Sequence, residues 1–220
     1  MYLTAATVDD LLRQVFGKLL KSPNVIRPSR GRARELAGVL LKLENPKARL
    51  SRTESKGKLF SALGELLWYL AKTNGLAFIN YYLSAYAEES DDGETVYGGY
   101  GPRLFDMRGH DQIANVIAGL RKSPDSRRAV IQLFDAADLA KRRVEIPCTC
   151  TLQFMIRRRR LHMFTYMRSN DAYLGLPHDV LTRRLRVIGF NHNIQSSYGV
   201  TKPVCSAIAQ WIAAAASEEM

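Results

Sequence analysis

The sequence predicts an α/β (α+β) fold that combines amphipathic helices with antiparallel strands. Two segments alternate apolar and other side chains with a period of two residues, which is typical of strands. The alternating residues are Leu152, Phe154 and Ile156 in the first segment and His162, Phe164 and Tyr166 in the second. Elsewhere apolar residues recur at helical spacing, and 46% of the 220 residues are apolar, so the chain is expected to bury a sizeable core.

The other elements follow in order from the N-terminus. Thr7 is placed to cap a helix whose first turn carries two aspartates, and residues 35–43 are apolar enough for a strand. Residues 61–71 have a strong helical pattern that includes Glu65 among its apolar positions. Glu65 is either surface-facing or a deliberately buried acid, because an unpaired carboxylate on an apolar face is costly. Further helices are predicted over residues 78–86 and 110–120, and a further strand over residues 129–134.

Composition and charge narrow the class of protein. The chain has 3 cysteines, two of them in one Cys-x-Cys motif, which is not a disulfide framework and predicts a reducing cytoplasmic setting. Acidic residues interrupt the first apolar segment, so no signal peptide is expected, and the apolar block near residues 208–216 is too short to span a membrane. The net charge of +11 is spread out without a recognition helix, so nucleic acid is not the expected partner.

Cys148 is the candidate nucleophile. It stands at the mouth of the first alternating strand, and an antiparallel hairpin with its tip at residues 157–160 returns Arg168 to its side. A cation next to a sulfur lowers the pKa of a thiol and makes it a nucleophile, whereas the ordinary role of a free cysteine is that of a small buried hydrophobe. Cys150 and His162 add no second pair of zinc ligands, so no metal is predicted.

Arginines in two short motifs indicate an anionic ligand. Arg127 and Arg128 follow Ser126, and Arg168 precedes Ser169. Guanidinium groups match phosphate oxygens with two parallel hydrogen bonds, so these motifs predict a small phosphate-bearing ligand. The four arginines of the hairpin tip are interpreted as a solvated turn.

Five ordered motifs carry a family resemblance. They are Gly64-Glu65-Leu66-Leu67-Trp68-Tyr69-Leu70, Val96-Tyr97-Gly98, Pro124-Asp125-Ser126-Arg127-Arg128, Pro147-Cys148 with Gln153-Phe154, and Arg168-Ser169 followed by Asp171 and Leu174-Gly175-Leu176-Pro177. In this order and spacing the sequence resembles the thymidylate synthase superfamily over about residues 30–180. The resemblance implies a mixed, mostly antiparallel sheet with flanking helices. It also implies a catalytic domain over residues 1–180 and a divergent or truncated segment over residues 181–220.

The resemblance implies one-carbon transfer from methylenetetrahydrofolate to C5 of a pyrimidine nucleoside 5′-monophosphate. Cys148 is expected to add to C6 of the ring and Glu65 to move protons through ordered water, with Tyr97 beside the nucleophile. Asp171 is expected to hydrogen-bond the pterin of the folate, and Gly175 is assigned to the same cofactor site.

The resemblance further implies a homodimer that packs through its sheets and shares its active sites. Arg127 and Arg128 are expected to reach the phosphate bound by the partner subunit, whereas Arg168 and Ser169 bind the phosphate in their own site. One more phosphate contact is expected from an N-terminal loop arginine, for which Arg30 is chosen among three candidates.

Asp179 is the expected base-binding residue. Thymidylate synthases have asparagine at this position, and the same difference separates deoxycytidylate hydroxymethylases from them within the superfamily. A carboxyl group can accept a hydrogen bond from N4 of cytosine, so hydroxymethylation of dCMP is favoured, and conversion of dUMP to dTMP is the alternative. Two further alternatives stay open: Asp179 faces solvent or caps a helix, or the chain is a catalytically dead homologue that binds nucleotide or nucleic acid.

Overall fold

A computed structural model describes residues 1–28, 31–45, 47–48, 55–173, 175–181 and 186–195. The strands are β1 Tyr2–Ala5, β2 Val25–Ile26, β3 Ala33–Leu43, β4 Val130–Gln132, β5 Thr149–Arg157, β6 Arg160–Met167, β7 Asn170–Asp171 and β8 Arg186–Gln195. They form one sheet with the order β1-β3-β8-β6-β5-β4, and the short strands β2 and β7 lie beside β3 and β8.

Helices flank this sheet. They are α1 Val8–Leu19, α2 Ser55–Leu70, α3 Leu76–Tyr82, α4 Tyr100–Phe105, α5 Gln112–Lys122 and α6 Gly175–Leu181, with 3-10 helices at Ser84–Glu89 and Ala136–Leu139. Four of the seven strand pairings among the described residues are antiparallel and three are parallel. The predicted mixed, mostly antiparallel sheet with flanking helices is therefore confirmed. Within the described ranges, every helix is too short or too polar to cross a bilayer.

The N-terminal helix begins where the sequence predicts. The hydroxyl oxygen of Thr7 accepts a hydrogen bond from the amide of Asp10 at 3.2 Å and so caps α1. The apolar stripe of α1 then packs against β1 and β3 in a core whose buried members are all aliphatic. We call this the aliphatic core; it contains Leu3, Ala5, Val8, Leu11, Leu12, Val15, Leu19, Val39, Leu41, Leu43, Ala172 and Leu176.

β5 and β6 form the predicted hairpin. The tip residues Arg158 and Arg159 have φ angles of 51° and 57°, and two successive positive φ values are typical of a turn that matches the twist of its strands. At the open end of the hairpin, the amide of Arg168 donates to the carbonyl of Cys148 at 2.9 Å. Local alternation and a tight turn are thus enough to place these two residues side by side.

A second core lies between α2 to α5 and the buried face of β4, β5 and β6. We call it the aromatic core, because Trp68, Tyr69, Tyr86 and Tyr100 are buried together at its centre. The centroids of their contacting rings are 5.5 Å, 5.4 Å and 5.3 Å apart, in tilted and edge-to-face pairs. The candidate site residue Glu65 lies on α2, one of the helices that form this core.

Two elements are predicted to extend further along the chain than the structure shows. The helix predicted over residues 78–86 ends as α3 because Leu83, at φ −146° and ψ 89°, leaves the helical conformation, and a 3-10 helix follows. The strand predicted over residues 129–134 is shorter in the structure, where β4 covers only Val130–Gln132. The amides of Leu133 and Phe134 both donate to one carbonyl of β5, which ends the regular ladder.

β8 lies in the interior of the sheet, antiparallel to β3 and parallel to β6. Residues beyond position 180 therefore contribute a strand to the same sheet. The division of the chain at residue 180 stays a prediction, and most of the segment over residues 181–220 lies outside the described residues.

Candidate active site

Arg168 is fixed against the segment that carries Cys148. Its Nε atom donates to the carbonyl of Pro147 at 2.9 Å, and its Nη2 atom donates to the carbonyl of Ile146 at 3.0 Å. The same Nη2 atom lies 3.6 Å from Sγ of Cys148, whose side chain is half-buried. A guanidinium held beside a sulfur favours the thiolate, which is the nucleophilic form. The structure thus brings together the two residues that the hairpin predicts as neighbours.

Two residues that were not predicted from the sequence also flank Cys148. Oε1 of Glu145 lies 3.9 Å from Sγ and accepts a hydrogen bond from the thiol. The hydroxyl oxygen of Tyr100 accepts from the amide of Thr149 at 3.1 Å. Burial raises the pKa of Tyr100 well above its usual value, and the neighbouring charge of Cys148 raises it further. Tyr100 therefore keeps its proton beside the nucleophile.

The start of α4 depends on a close backbone approach at Gly101. A Cβ atom at this position would lie 2.4 Å from the carbonyl oxygen of Thr73, so a side chain cannot be accommodated. This approach sets α4 against the turn after α2 and places Tyr100 in the interior. The glycines on either side of Tyr100 are the sequence signal that marks it.

Cys150 differs from Cys148 in its surroundings. It is buried, its Sγ atom lies 3.8 Å from the carbonyl oxygen of Cys148, and burial raises the pKa of its thiol. Cys150 is therefore held as a neutral thiol, in the ordinary role of a buried cysteine. In the described part of the chain, no three His, Cys, Asp or Glu side chains converge as metal ligands.

Glu65 is fully buried in the aromatic core. The hydroxyl of Tyr86, in the 3-10 helix after α3, donates a hydrogen bond to Oε1 of Glu65. Burial, and next the charge of Glu65, raises the pKa of Tyr86 well above its usual value, so this hydroxyl stays a donor. The pKa of Tyr69 is raised by the same two causes. Of the two alternatives for Glu65 the structure shows the buried acid, and its role as a proton carrier stays a prediction.

Asp179 faces the interior from α6. Its side chain is fully buried, and its Oδ2 atom accepts from Nδ2 of the buried Asn170 at 2.6 Å. Burial raises the pKa of Tyr69 and of Tyr100, and the charge of Asp179 adds to both shifts. Asp179 thus shares one interior with the residues around Cys148 and Glu65, and it lies within α6, buried from solvent. Asn170 was not predicted; its only sequence signal is its place inside the motif that begins at Arg168.

The two residues assigned to the folate lie close in sequence to Asp179. Asp171 is buried in β7, and its Oδ1 atom accepts from the amide of Tyr173 at 2.8 Å. Gly175 is the first residue of α6. Because β7 pairs with β8, the carboxylate of Asp171 is carried by the sheet rather than by a loose loop. Contact of either residue with a folate stays a prediction.

Tyr97 is half-buried and contacts the segment that leads to Cys148. The guanidinium of Arg143 lies 4.2 Å from the centroid of its ring, and that of Arg103 lies 5.2 Å away. Asp91 holds the same segment, because its Oδ1 atom accepts from the amide of Val144 at 3.1 Å. Tyr97 therefore helps to seat this segment, while its predicted place beside the nucleophile stays a prediction.

The predicted phosphate residues divide into two groups. Arg168 and Ser169 lie at the open end of the hairpin near Cys148, and both are half-buried. Arg127 and Arg128 are exposed just before β4, the last strand at one edge of the sheet. Arg30 lies outside the described residues. The structure therefore places Arg168 beside the thiol, with Ser169 next to it in the chain, and Arg127 and Arg128 at an edge of the sheet.

The fold is that of a known class of protein. The chain resembles the crystal structure of thymidylate synthase from T4 phage, with a TM-score of 0.69 and 20% sequence identity over 85% of this chain and 76% of that chain. At this identity the likeness shows the fold: a mixed sheet with helices packed around it.

The family model for thymidylate synthase matches residues 35–195, and the chain belongs to the thymidylate synthase family. Two relatives are thymidylate synthases of Buchnera aphidicola subsp. Acyrthosiphon pisum, strains Tuc7 and 5A. Each is 34% identical over 134 residues, which are 58% of this chain and 50% of the relative. The chain thus spans about half the length of the curated relatives it matches. The match continues past residue 180 and includes β8.

Proposed function

We propose that this protein transfers a one-carbon unit from methylenetetrahydrofolate to C5 of a pyrimidine nucleoside 5′-monophosphate. The observation that carries the proposal is the guanidinium of Arg168, held by two carbonyls at 3.6 Å from Sγ of Cys148. The names of the relatives support the same class of reaction, since they are thymidylate synthases.

Cys148 supplies the covalent step. Its thiolate adds to C6 of the pyrimidine, a sulfur–carbon bond forms, and the electron pair of the C5–C6 double bond makes C5 nucleophilic. Glu65 donates and accepts the protons that the ring exchanges, and the hydroxyl of Tyr86 holds its carboxylate in place. Arg168 and Ser169 bind the 5′-phosphate beside the thiol.

The folate site is proposed from the chemistry of its side chains. A pterin presents N–H donors along one edge, and Asp171 is a buried carboxylate that accepts hydrogen bonds. Asp171 and Gly175 would hold the cofactor at the end of the sheet next to α6. Methylenetetrahydrofolate supplies the one-carbon unit when it is bound.

Asp179 favours a cytosine base. Cytosine offers an acceptor at N3 beside a donor at N4, whereas uracil offers a donor at N3 beside an acceptor at O4. A carboxyl group accepts from N4 and can share a proton with N3, but it sets an acceptor against O4. Mispairing one buried polar group costs about 1–3 kcal/mol, and more when the group is charged. Because Asp179 is fully buried, water cannot offset this cost, and the free energy of binding should favour cytosine over uracil. Hydroxymethylation of dCMP is therefore the favoured reaction.

Thymidylate synthesis from dUMP is the second candidate. The observation in its favour is that the matched relatives are thymidylate synthases. It requires the carboxyl group of Asp179 to carry a proton, so that it donates to O4 of uracil. The two candidates share Cys148 and Arg168 and differ in the base and in whether a methyl or a hydroxymethyl group is produced.

A homodimer with shared sites accounts for the exposed arginines. Arg127 and Arg128 are exposed just before an edge strand, and no ion pair is described for either. Exposed cations of this kind add little to the stability of one subunit. Across a dimer interface they would reach the phosphate bound near Cys148 of the partner. The active unit proposed here is a cytoplasmic dimer in which each site uses residues of both subunits.

The product mass tests the proposal. The protein is incubated with methylenetetrahydrofolate and, separately, with dCMP, dUMP or CMP. We expect dCMP to gain the mass of a hydroxymethyl group, whereas dUMP gaining the mass of a methyl group would establish the second candidate. A homologue that only binds nucleic acid would convert none of the three, and its affinity for a polyanion would fall steeply as salt rises.

A further inference from the structure

The geometry points to Glu145 as the residue that, against Arg168, sets the pH at which Cys148 becomes a nucleophile. Sγ of Cys148 lies 3.6 Å from the guanidinium of Arg168 and 3.9 Å from the carboxylate of Glu145, to which the thiol donates. The sulfur is thus flanked by one group of each charge. This inference rests on the proposed role of Cys148.

The two neighbours act on the thiol in opposite directions. A cation within about 4–6 Å favours the thiolate, and an anion at that distance favours the neutral thiol. A thiol that donates to a carboxylate must lose this hydrogen bond when it ionises, which adds to the effect of the charge. Glu145 therefore keeps Cys148 protonated to a higher pH than Arg168 alone would allow.

Three further described groups on the neighbouring elements bear on this balance. Tyr100, from α4, stays neutral because burial raises its pKa well above its usual value. The buried carboxylate of Asp179, from α6, acts on Tyr100 and so reinforces its neutrality. Arg143 lies on the same segment as Glu145, but its described contacts are with the ring of Tyr97 and with a surface aspartate.

Glu145 is a positioning residue that acts through Cys148. It holds the thiol proton when the site contains no substrate, and a half-buried thiol that stays protonated is protected from unwanted alkylation and oxidation. No sequence pattern marks Glu145, since it stands three residues before Cys148 in an irregular segment.

Alkylation of Cys148 tests the inference without using enzymatic activity. The protein is treated with iodoacetamide over a range of pH, and modification of the peptide that contains Cys148 is followed by mass spectrometry. In Glu145→Gln we expect the midpoint of alkylation to fall by on the order of one pH unit. In Arg168→Gln it should rise. The matched control is Glu88→Gln, which removes an exposed carboxylate in the 3-10 helix after α3 and should leave the midpoint unchanged.

Glu145→Ala is the second variant, since it removes the same charge with a smaller side chain. A lower midpoint in either folded variant supports the inference, and an unchanged or higher midpoint in both overturns it. Adduct formation with a pyrimidine nucleotide is measured in parallel. If the midpoint shifts but no adduct forms, the proposed function fails and the inference stands; if adducts form and the midpoint is unchanged, the inference alone fails.

Discussion

The two cores of this protein are built differently. The aliphatic core under α1 is formed by buried leucine, valine and alanine side chains. The aromatic core and the residues next to it bury Glu65, Asp179 and three tyrosines whose pKa values burial raises well above normal. Burying charge costs stability unless each group is hydrogen-bonded, so stability alone favours the first design. The second design is the one expected of an active site.

The substitution with the largest expected effect is Cys148→Ser. A serine hydroxyl beside Arg168 is a far weaker nucleophile than a thiolate, so turnover should fall by roughly 10⁴-fold or more while nucleotide binding stays intact. Steady-state kinetics and calorimetric titration with dCMP measure the two quantities.

Cys150→Ser is the matched control, because Cys150 is a buried thiol two residues away whose pKa is raised by burial. Its activity should stay within several-fold of the wild type. Equal loss of activity in both variants, with the circular-dichroism spectrum of an unfolded chain, would show that the pair serves only packing.

The next largest effect is expected from Asp179→Asn. An amide complements N3 and O4 of uracil, so the ratio of kcat/KM for dCMP to that for dUMP should fall by roughly 10³–10⁴. Competition between the two nucleotides in one reaction gives this ratio directly. A wild type that already prefers dUMP, with the same preference in the variant, would return the protein to thymidylate synthesis.

In the aliphatic core the expected effect is on stability. Leu11→Ala should lower the free energy of unfolding by about 2–5 kcal/mol, because it removes fully buried methyl groups and leaves a cavity. The rate of Cys148 alkylation in the folded protein should stay unchanged. A Leu11→Ala protein that unfolds normally but has lost the reactivity of Cys148 would break the separation between the two cores.

The shared site gives a complementation experiment. Inactive Cys148→Ser mixed with inactive Arg128→Ala should regain about a quarter of wild-type activity, because half of the dimers are hybrids and each hybrid has one intact site. The measurement is activity against mixing time, with subunit exchange followed by native mass spectrometry. Exchange without recovery would remove the assignment of Arg128 to the partner's phosphate.

The smallest effect is expected from Tyr86→Phe. This change removes the hydroxyl that donates to Glu65 and leaves the ring in the aromatic core. A carboxylate that loses a donor binds its proton more tightly, so the acidic limb of the kcat profile should move to higher pH, with a loss in kcat of about tenfold. An unchanged pH profile would mean that Glu65 does not carry the protons.

The comparison of the cores also explains what the sequence can predict. α1, the β5–β6 hairpin and the pairing of Cys148 with Arg168 follow from local signals: a capping threonine, period-two alternation and a tight turn. The hydrogen bond between Tyr86 and Glu65 joins residues 21 positions apart, and the hydrogen bond between Asn170 and Asp179 joins β7 to α6. Such contacts depend on how the helices pack, so spacing alone does not identify them. Glu145 was missed for the opposite reason, because its segment has no regular pattern.

Exchange of the C5 hydrogen tests the central claim, addition of Cys148 to the pyrimidine ring, most directly. Addition at C6 makes C5 basic, so its hydrogen should exchange with solvent deuterium even without folate. We predict that the wild-type protein in D₂O exchanges C5–H of dCMP faster than that of dUMP, and that Cys148→Ser exchanges neither. Two results would contradict the account. One is a wild-type protein that binds the nucleotide without exchanging its C5 hydrogen, and the other is a Cys148→Ser protein that exchanges this hydrogen as fast as the wild type does.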